Sequence, residues 1–192
     1  MCGRYYIDSD RRDDMIREVL ESVETKYENT PALQKMKTGE VFPTDTVPVI
    51  TQSEPVLMEW GFMRFDGKGR VINARLETAD EKPMFRGSYA GRRCLIPASY
   101  YFEWEKTPQG KQKYAIGLDT PAYMAGLYRI ETAGALPLFV ILTRPAAESI
   151  AFIHDRMPVV FDNEAACRWL NGGRSPAEVL ADSAGEMNYR VV

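Results

Sequence analysis

The residue whose chemistry stands out first is Cys2, directly behind the initiator methionine in "MCGRYYIDSD". Once Met1 is removed, Cys2 carries a free α-amine and a thiol on adjacent carbons. Such an amine titrates near ~8, so part of it is neutral and nucleophilic at pH 7. An amine turns an aldehyde into an imine, and a thiol one carbon away can close a five-membered thiazolidine, a step favoured by proximity. Two other readings stand beside this one. Cys2 could be the nucleophile of an N-terminal amidohydrolase with its own amine as base, or an incidental residue at a frayed terminus.

His154 and Glu103 are the candidates for proton transfer. His154, in "IAFIHDRMPVV", is the only histidine of the chain, and Asp155 and Arg156 follow it in a polar cluster at an element boundary. An imidazole exchanges protons near neutral pH; a satisfied structural histidine is the plainer alternative. Glu103 lies in the aromatic run "ASYYFEWEK". Strict strand alternation puts Tyr101 and Glu103 on one face and Phe102 and Trp104 on the other. A carboxylate flanked by aromatic rings is partly desolvated and suits acid/base work, whereas a solvated strand face would carry none. In "VINARLET", read as a strand, Asn73, Arg75 and Glu77 line one face and offer a polar floor for a phosphate-bearing substrate.

Elements that could position these groups follow from periodicity. Residues 9–29 read as a helix with Ser9 as N-cap and Ile16, Leu20, Val23 and Tyr27 on one face. From Val47 to about Thr143 the chain changes to short apolar, β-branched or aromatic runs bounded by Gly, Pro and Asp, the pattern of strands, with "EKTPQGKQ" as a hairpin loop. Residues 144–153 read as a short helix and "RMPVVF" as a strand. "DNEAACRWLNGG" has Asp162 or Asn163 as cap and Gly172 as stop, and "SPAEVLADS" carries a capping box of Ser175 and Glu178. "NYRVV" is a last short strand. The expected fold is α+β: residues 1–192 as one domain with a strongly curved, barrel-like, mostly antiparallel sheet flanked by a few helices.

Composition narrows the function classes. The 192 residues carry a formal net charge of −3, so there is no global pull toward nucleic acid. Locally, residues 64–75 and 82–93 hold Arg64, Lys68, Arg70, Arg75, Lys82, Arg86, Arg92 and Arg93 with Asp66 as their one acid, interleaved with Phe65, Phe85 and Tyr89 and preceded by Trp60 and Phe62. Cations mixed with rings are the signature of single-strand grooves; an ordinary charged loop is the alternative. No apolar run approaches a membrane span and no signal peptide is visible, so a cytoplasmic location is expected, at the nucleoid if the source is bacterial. The three cysteines have neither zinc spacing nor a disulfide framework, and Cys94 and Cys167 read as small core residues. No metal and no cofactor are expected.

The blocks "MCGRY", "EWGF", "INARLET", "RRCLIPASYYFEW" and "IHDRMPVV", in this order, resemble the SOS response-associated peptidase (SRAP) family over residues 1 to about 160. The resemblance implies loss of Met1 and a covalent thiazolidine between Cys2 and the ring-opened aldehyde of an abasic site in single-stranded DNA, with a self-processing peptidase activity beside it. It implies Asn73, Glu103 and His154 as active-site partners, and Arg4, Arg75, Arg86 and Arg156 as DNA contacts. Trp60 would cover the gap left by the missing base, Gly3 would let the backbone pass close to the DNA, and the protein would act as a monomer. Two blocks depart from the family pattern: "WGFMRFDG" lacks the second tryptophan of "WGLIPxW", and "PASYYFEW" replaces the Asp-Gly of "PADGFYEW" with Ser-Tyr.

Overall fold

The computed structural model describes residues 2–8, 14–119 and 122–192. The chain enters as β1 (Tyr5–Ile7) and continues through α1 (Asp14–Lys26), which buries Ile16, Val19, Leu20 and Val23. A single helical turn, α2 (Pro31–Gln34), is capped by the Thr30 side chain. It leads into β2 (Gly39–Val41), β3 (Thr46–Ile50) and β4 (Pro55–Trp60), then into the short pair β5 (Phe62–Met63) and β6 (Arg70–Val71). Next come β7 (Asn73–Arg75), α3 (Leu76–Ala79) and α4 (Arg86–Gly91). The long central strands are β8 (Arg93–Ala98), β9 (Tyr100–Thr107), β10 (Gly110–Gly117), β11 (Ala122–Arg129) and β12 (Leu138–Pro145). A 3-10 turn at Glu148–Ile150 precedes β13 (Arg156–Pro158), β14 (Val160–Phe161), α5 (Asn163–Leu170), α6 (Pro176–Asp182) and β15 (Asn188–Val191).

Strands β12, β4, β3, β8 and β11 are paired in that order, and β11 pairs back onto β12, which closes a five-stranded barrel. The β12–β4 pair is parallel and the other four are antiparallel. β7 adds to β12 in parallel, with Asn73 opposite Ile141. A second sheet, β15-β10-β9-β1-β2, is antiparallel throughout. The expected mixed α+β architecture with a barrel-like, mostly antiparallel sheet is therefore present. One apolar cluster holds Cys2, Tyr5, Trp60, Tyr101 and Met157; a second, around Phe62, Phe85, Phe161 and Trp169, is covered by α4 and α5.

Barrel closure leaves no room at Gly126. A Cβ there would stand 2.4 Å from Ile96 Cδ1, 2.9 Å from Cys94 Sγ and 3.0 Å from the Val140 carbonyl oxygen. Gly126→Ala is expected to cost about 1–3 kcal/mol, the usual penalty of overpacking, seen as a lower urea midpoint at unchanged slope.

Several local expectations need correction. Ser9, the expected first cap, lies outside the described residues, and α1 ends at Lys26 rather than 29. The 144–153 helix is only the 3-10 turn, because β12 runs on through Pro145. "RMPVVF" divides into β13 and β14, which pair with different strands, β12 and β11. "VINARLET" is a strand only over Asn73–Arg75 and turns into α3, so Glu77 does not continue the row. The hairpin loop shrinks to Pro108–Gln109 between β9 and β10. Asp162 is the cap of α5, and the Ser175–Glu178 capping box is present. Cys94 is buried as expected, but Cys167 is exposed on the outer face of α5.

Candidate active site

The pairing of β1 with β9 builds the site. Tyr5 lies opposite Tyr101 and Tyr6 opposite Tyr100, and the Phe102 N–H donates to the Arg4 carbonyl at 2.9 Å. Carried two places further, this register sets Gly3 opposite Glu103. Tyr101, Phe102 and Glu103 of β9 are all buried. Gly3, Arg4, Glu103, Trp104, Lys106 and Lys111 line an open groove of about 490 Å³.

Cys2 is fully buried, directly before Gly3 of the groove wall. From the other side, β7 brings Asn73, whose Nδ2 donates to the Cys2 carbonyl at 2.9 Å. Residues 71 positions apart are thus joined at the backbone of Cys2. The thiol donates to the Arg4 carbonyl at 3.7 Å. Burial pushes the Cys2 thiol far above the ordinary range, and the negative charge of Glu103 pushes it further. The thiol is therefore neutral at physiological pH.

His154 follows the 3-10 turn, whose Ile150 and the neighbouring Ile153 pack into the Cys2 cluster. Its Nδ1 accepts the Arg156 N–H at 3.0 Å, which puts the proton of the neutral ring on Nε2. The exposed Asp155 carboxylate stands 2.8 Å from Nδ1 and can accept from it once the ring is protonated. Asn73 is thus joined to Cys2 by direct contact, Glu103 stands opposite the neighbouring Gly3 by register, and His154 sits on a separate element.

The expected DNA contacts are placed unequally. Arg4 borders the groove, 40% exposed, held over the rings of Phe42 and Trp104 and paired with Glu40 at 3.3 Å. Arg75 is exposed at the end of β7. Arg86 is exposed at the start of α4, whose Phe85 and Tyr89 belong to the cluster that does not contain Cys2. Arg156 is held by both oxygens of Glu77, at 2.5 and 2.9 Å, and donates to the Thr143 carbonyl at 2.7 Å. That ion pair keeps the Glu77 carboxyl below its ordinary value of 4.5, so the pair acts above that pH and is lost as acid protonates Glu77.

Trp60 is a correction. It is fully buried, stacks on Phe139, meets Tyr5 edge-on and donates its indole N–H to the Ile72 carbonyl at 3.0 Å. It has no face to offer a base. Arg93 likewise leaves the basic stretch: it is buried between the rings of Tyr89 and Trp169 and donates to backbone carbonyls.

The family model for SOS response associated peptidase (SRAP) matches residues 1–191. The chain belongs to the SRAP family. Among its relatives, the abasic site processing protein YedK of Escherichia coli is 29% identical over 200 residues, covering 98% of this chain and 89% of YedK. The abasic site processing protein YoqW of Bacillus subtilis is 38% identical over 117 residues, covering 58% of this chain; the match spans about half of YoqW, 52% of its length. A crystal structure of a protein from Bacteroides thetaiotaomicron has the same fold, with a TM-score of 0.79 at 24% identity over 100% of this chain and 92% of that one.

This SRAP chain has groups at the site that sequence reasoning did not single out. The hydroxyls of Tyr5 and Tyr101 are buried in the cluster that holds Cys2, without a hydrogen-bond partner among the described residues. Strand parity could have found Tyr101, which shares a face with Glu103. Lys106 and Lys111 meet at the groove only because β9 and β10 pair, a register invisible in either segment alone. Among the described residues, no helix is long and apolar enough to cross a membrane.

The thiols give a direct check on the geometry. Iodoacetamide at pH 7.5 is expected to label Cys167 first and alone, because alkylation needs an accessible thiolate. Cys2 and Cys94 are buried, with their thiols pushed well up. Intact mass should show one label; rapid second labelling at Cys2 would contradict its burial.

Proposed function

We propose that this protein captures abasic sites in single-stranded DNA through the amine and thiol of Cys2. The observation that carries the reading is the meeting of Asn73 and Glu103, from different sheets, at Cys2 beside an open groove with cationic walls. The family membership and the abasic-site names of the relatives support the same substrate. Met1 must be absent for the amine to exist.

The open aldehyde form of the abasic sugar is the reacting species. His154 gives a proton to the ring oxygen as the C1′–O4′ bond breaks and takes up the proton of the C1′ hydroxyl, which becomes the aldehyde. Glu103 takes the proton of the Cys2 ammonium, and the amine adds to the aldehyde carbon. Water leaves to give the imine. The Sγ–H then adds across the C=N bond, sulfur to carbon and proton to nitrogen, closing the thiazolidine. Asn73 holds the Cys2 carbonyl and thereby fixes the amine toward the groove. Arg4, Arg75 and Arg86 bind phosphates, so affinity falls with salt and ignores base sequence. Arg156 acts mainly by bracing α3 and β13 around His154.

The family description keeps a peptidase reading, in which the Cys2 thiol attacks an amide. That reaction needs a thiolate, and both burial and Glu103 oppose one here. The aminothiol route begins at nitrogen and uses the neutral thiol second. The test is incubation of the protein with matched strands, one carrying a single abasic site. A heat-stable adduct with the lesion strand alone is expected; equal adduct with both, or none with protein lacking Met1, would overturn the proposal.

A further inference from the structure

The outer face of the second sheet continues the groove away from Cys2. Cross-strand partners share a face, so Trp104, Phe102 and Tyr100 on β9 stand beside Lys113, Ala115 and Gly117 on β10. Arg190 of β15 follows Ala115, and Tyr6 of β1 lies on the other side of Tyr100. Cations and rings interleave along this band. Lys113 Nζ is 3.7 Å from the Phe102 ring centre, and the Arg190 guanidinium is 5.4 Å from that of Tyr100. Tyr6 and Tyr100 stack at 4.9 Å with an interplanar angle of 9°.

With Arg4, Lys106 and Lys111 the band holds five cations in a chain of net charge −3. Glu40, between Arg4 and Lys113, is already neutralised by them, at 3.3 and 3.1 Å. At the far end, Tyr100, Gly117, Asp119, Asn188 and Arg190 wall a second cavity of about 290 Å³. Tyr100 and Trp104 are four strand residues apart, about 13 Å, the rise of about four stacked nucleotides.

We propose that this far cavity is a second DNA subsite, where Arg190 meets a phosphate and the Tyr6–Tyr100 pair meets an unpaired base of the strand whose lesion lies at Cys2. The subsite rests on the function proposed above for its ligand. Its residues are outside that machinery: Tyr100 stands where the family pattern has glycine, and Arg190 lies beyond the blocks that carry the resemblance. Rings recognise a base by its face, so the subsite is indifferent to sequence and needs a single strand.

Undamaged oligonucleotides keep the test independent of capture at Cys2. A strand of about 12 nucleotides, long enough for both cavities, is expected to bind at least about fivefold tighter than one of about 3, which fills only one. Arg190→Ala combined with Tyr100→Ser removes this gain, leaves the short strand unchanged, and lowers the slope of log K against log salt by about 0.7 for the lost phosphate. Arg190→Lys keeps most of the gain and shows that the fold is intact. No length gain in wild type, or a gain that survives the double change, overturns the subsite. Covalent capture of an abasic site in the short strand, read in parallel, separates the two proposals. If capture fails while the Arg190-dependent gain persists, the Cys2 reading falls and the subsite stands.

Discussion

Cys2→Ala eliminates the heat-stable adduct with an abasic strand, and Cys2→Ser does the same. Both variants keep the α-amine once Met1 is removed, so both still form an imine. What they lose is the second bond. The thiol of Cys2 sits on the carbon next to the one that bears the imine nitrogen, and its addition is intramolecular, which converts a reversible imine into a stable ring. The expected result is complete loss of adduct on heating, with borohydride trapping a covalent product from either variant. DNA affinity at the groove changes little, because Cys2 is buried and the phosphate contacts lie elsewhere. A heat-stable adduct from Cys2→Ala would mean that another nucleophile does the work.

Glu103→Gln produces the second large effect. Gln keeps the volume of this buried side chain on the inner face of β9 and removes its capacity to accept a proton. Loss of a positioned general base costs roughly 10²- to 10⁴-fold in rate, and the capture rate at neutral pH is expected to fall within that range. Binding of an undamaged strand stays within about twofold, since a base contributes to the reaction and not to phosphate contact. The pH profile distinguishes a base from a merely structural residue. Above about pH 8 the amine is neutral without help, so the deficit narrows as pH rises. A deficit constant from pH 6 to 9 would assign Glu103 a structural role.

Much of this site was legible in the sequence because its logic is local. Alternation along "SYYFEW" put Glu103 on one face with Tyr101, and the position of Cys2 offered the aminothiol. The capping box at Ser175 is fixed within four residues and was found as written, and of the two caps read for α5, Asp162 or Asn163, the structure uses Asp162. The misses are long-range. Trp60 is an aromatic residue in a strand, and its burial depends on Phe139 and Tyr5 arriving from other strands. Arg156 is taken up by Glu77, 79 positions away, because "INARLET" turns into a helix rather than continuing as a strand. Cys167 sits in an apolar-looking helix, but Ala165, Ala166 and Trp169 take the buried side and turn it outward. The outer face of the second sheet depends on β1 and β15, from opposite ends of the chain, pairing with β9 and β10.

The central claim is that both nitrogen and sulfur of Cys2 bond to one carbon of the abasic sugar. The most direct measurement is the intact mass of the adduct, followed by nuclease and protease digestion and fragmentation of the N-terminal peptide. The account predicts a mass equal to protein lacking Met1 plus DNA minus one water, unchanged by borohydride, with the sugar on Cys2 at both atoms. A borohydride-sensitive adduct, a sugar on any other residue, or a mass retaining Met1 would contradict it.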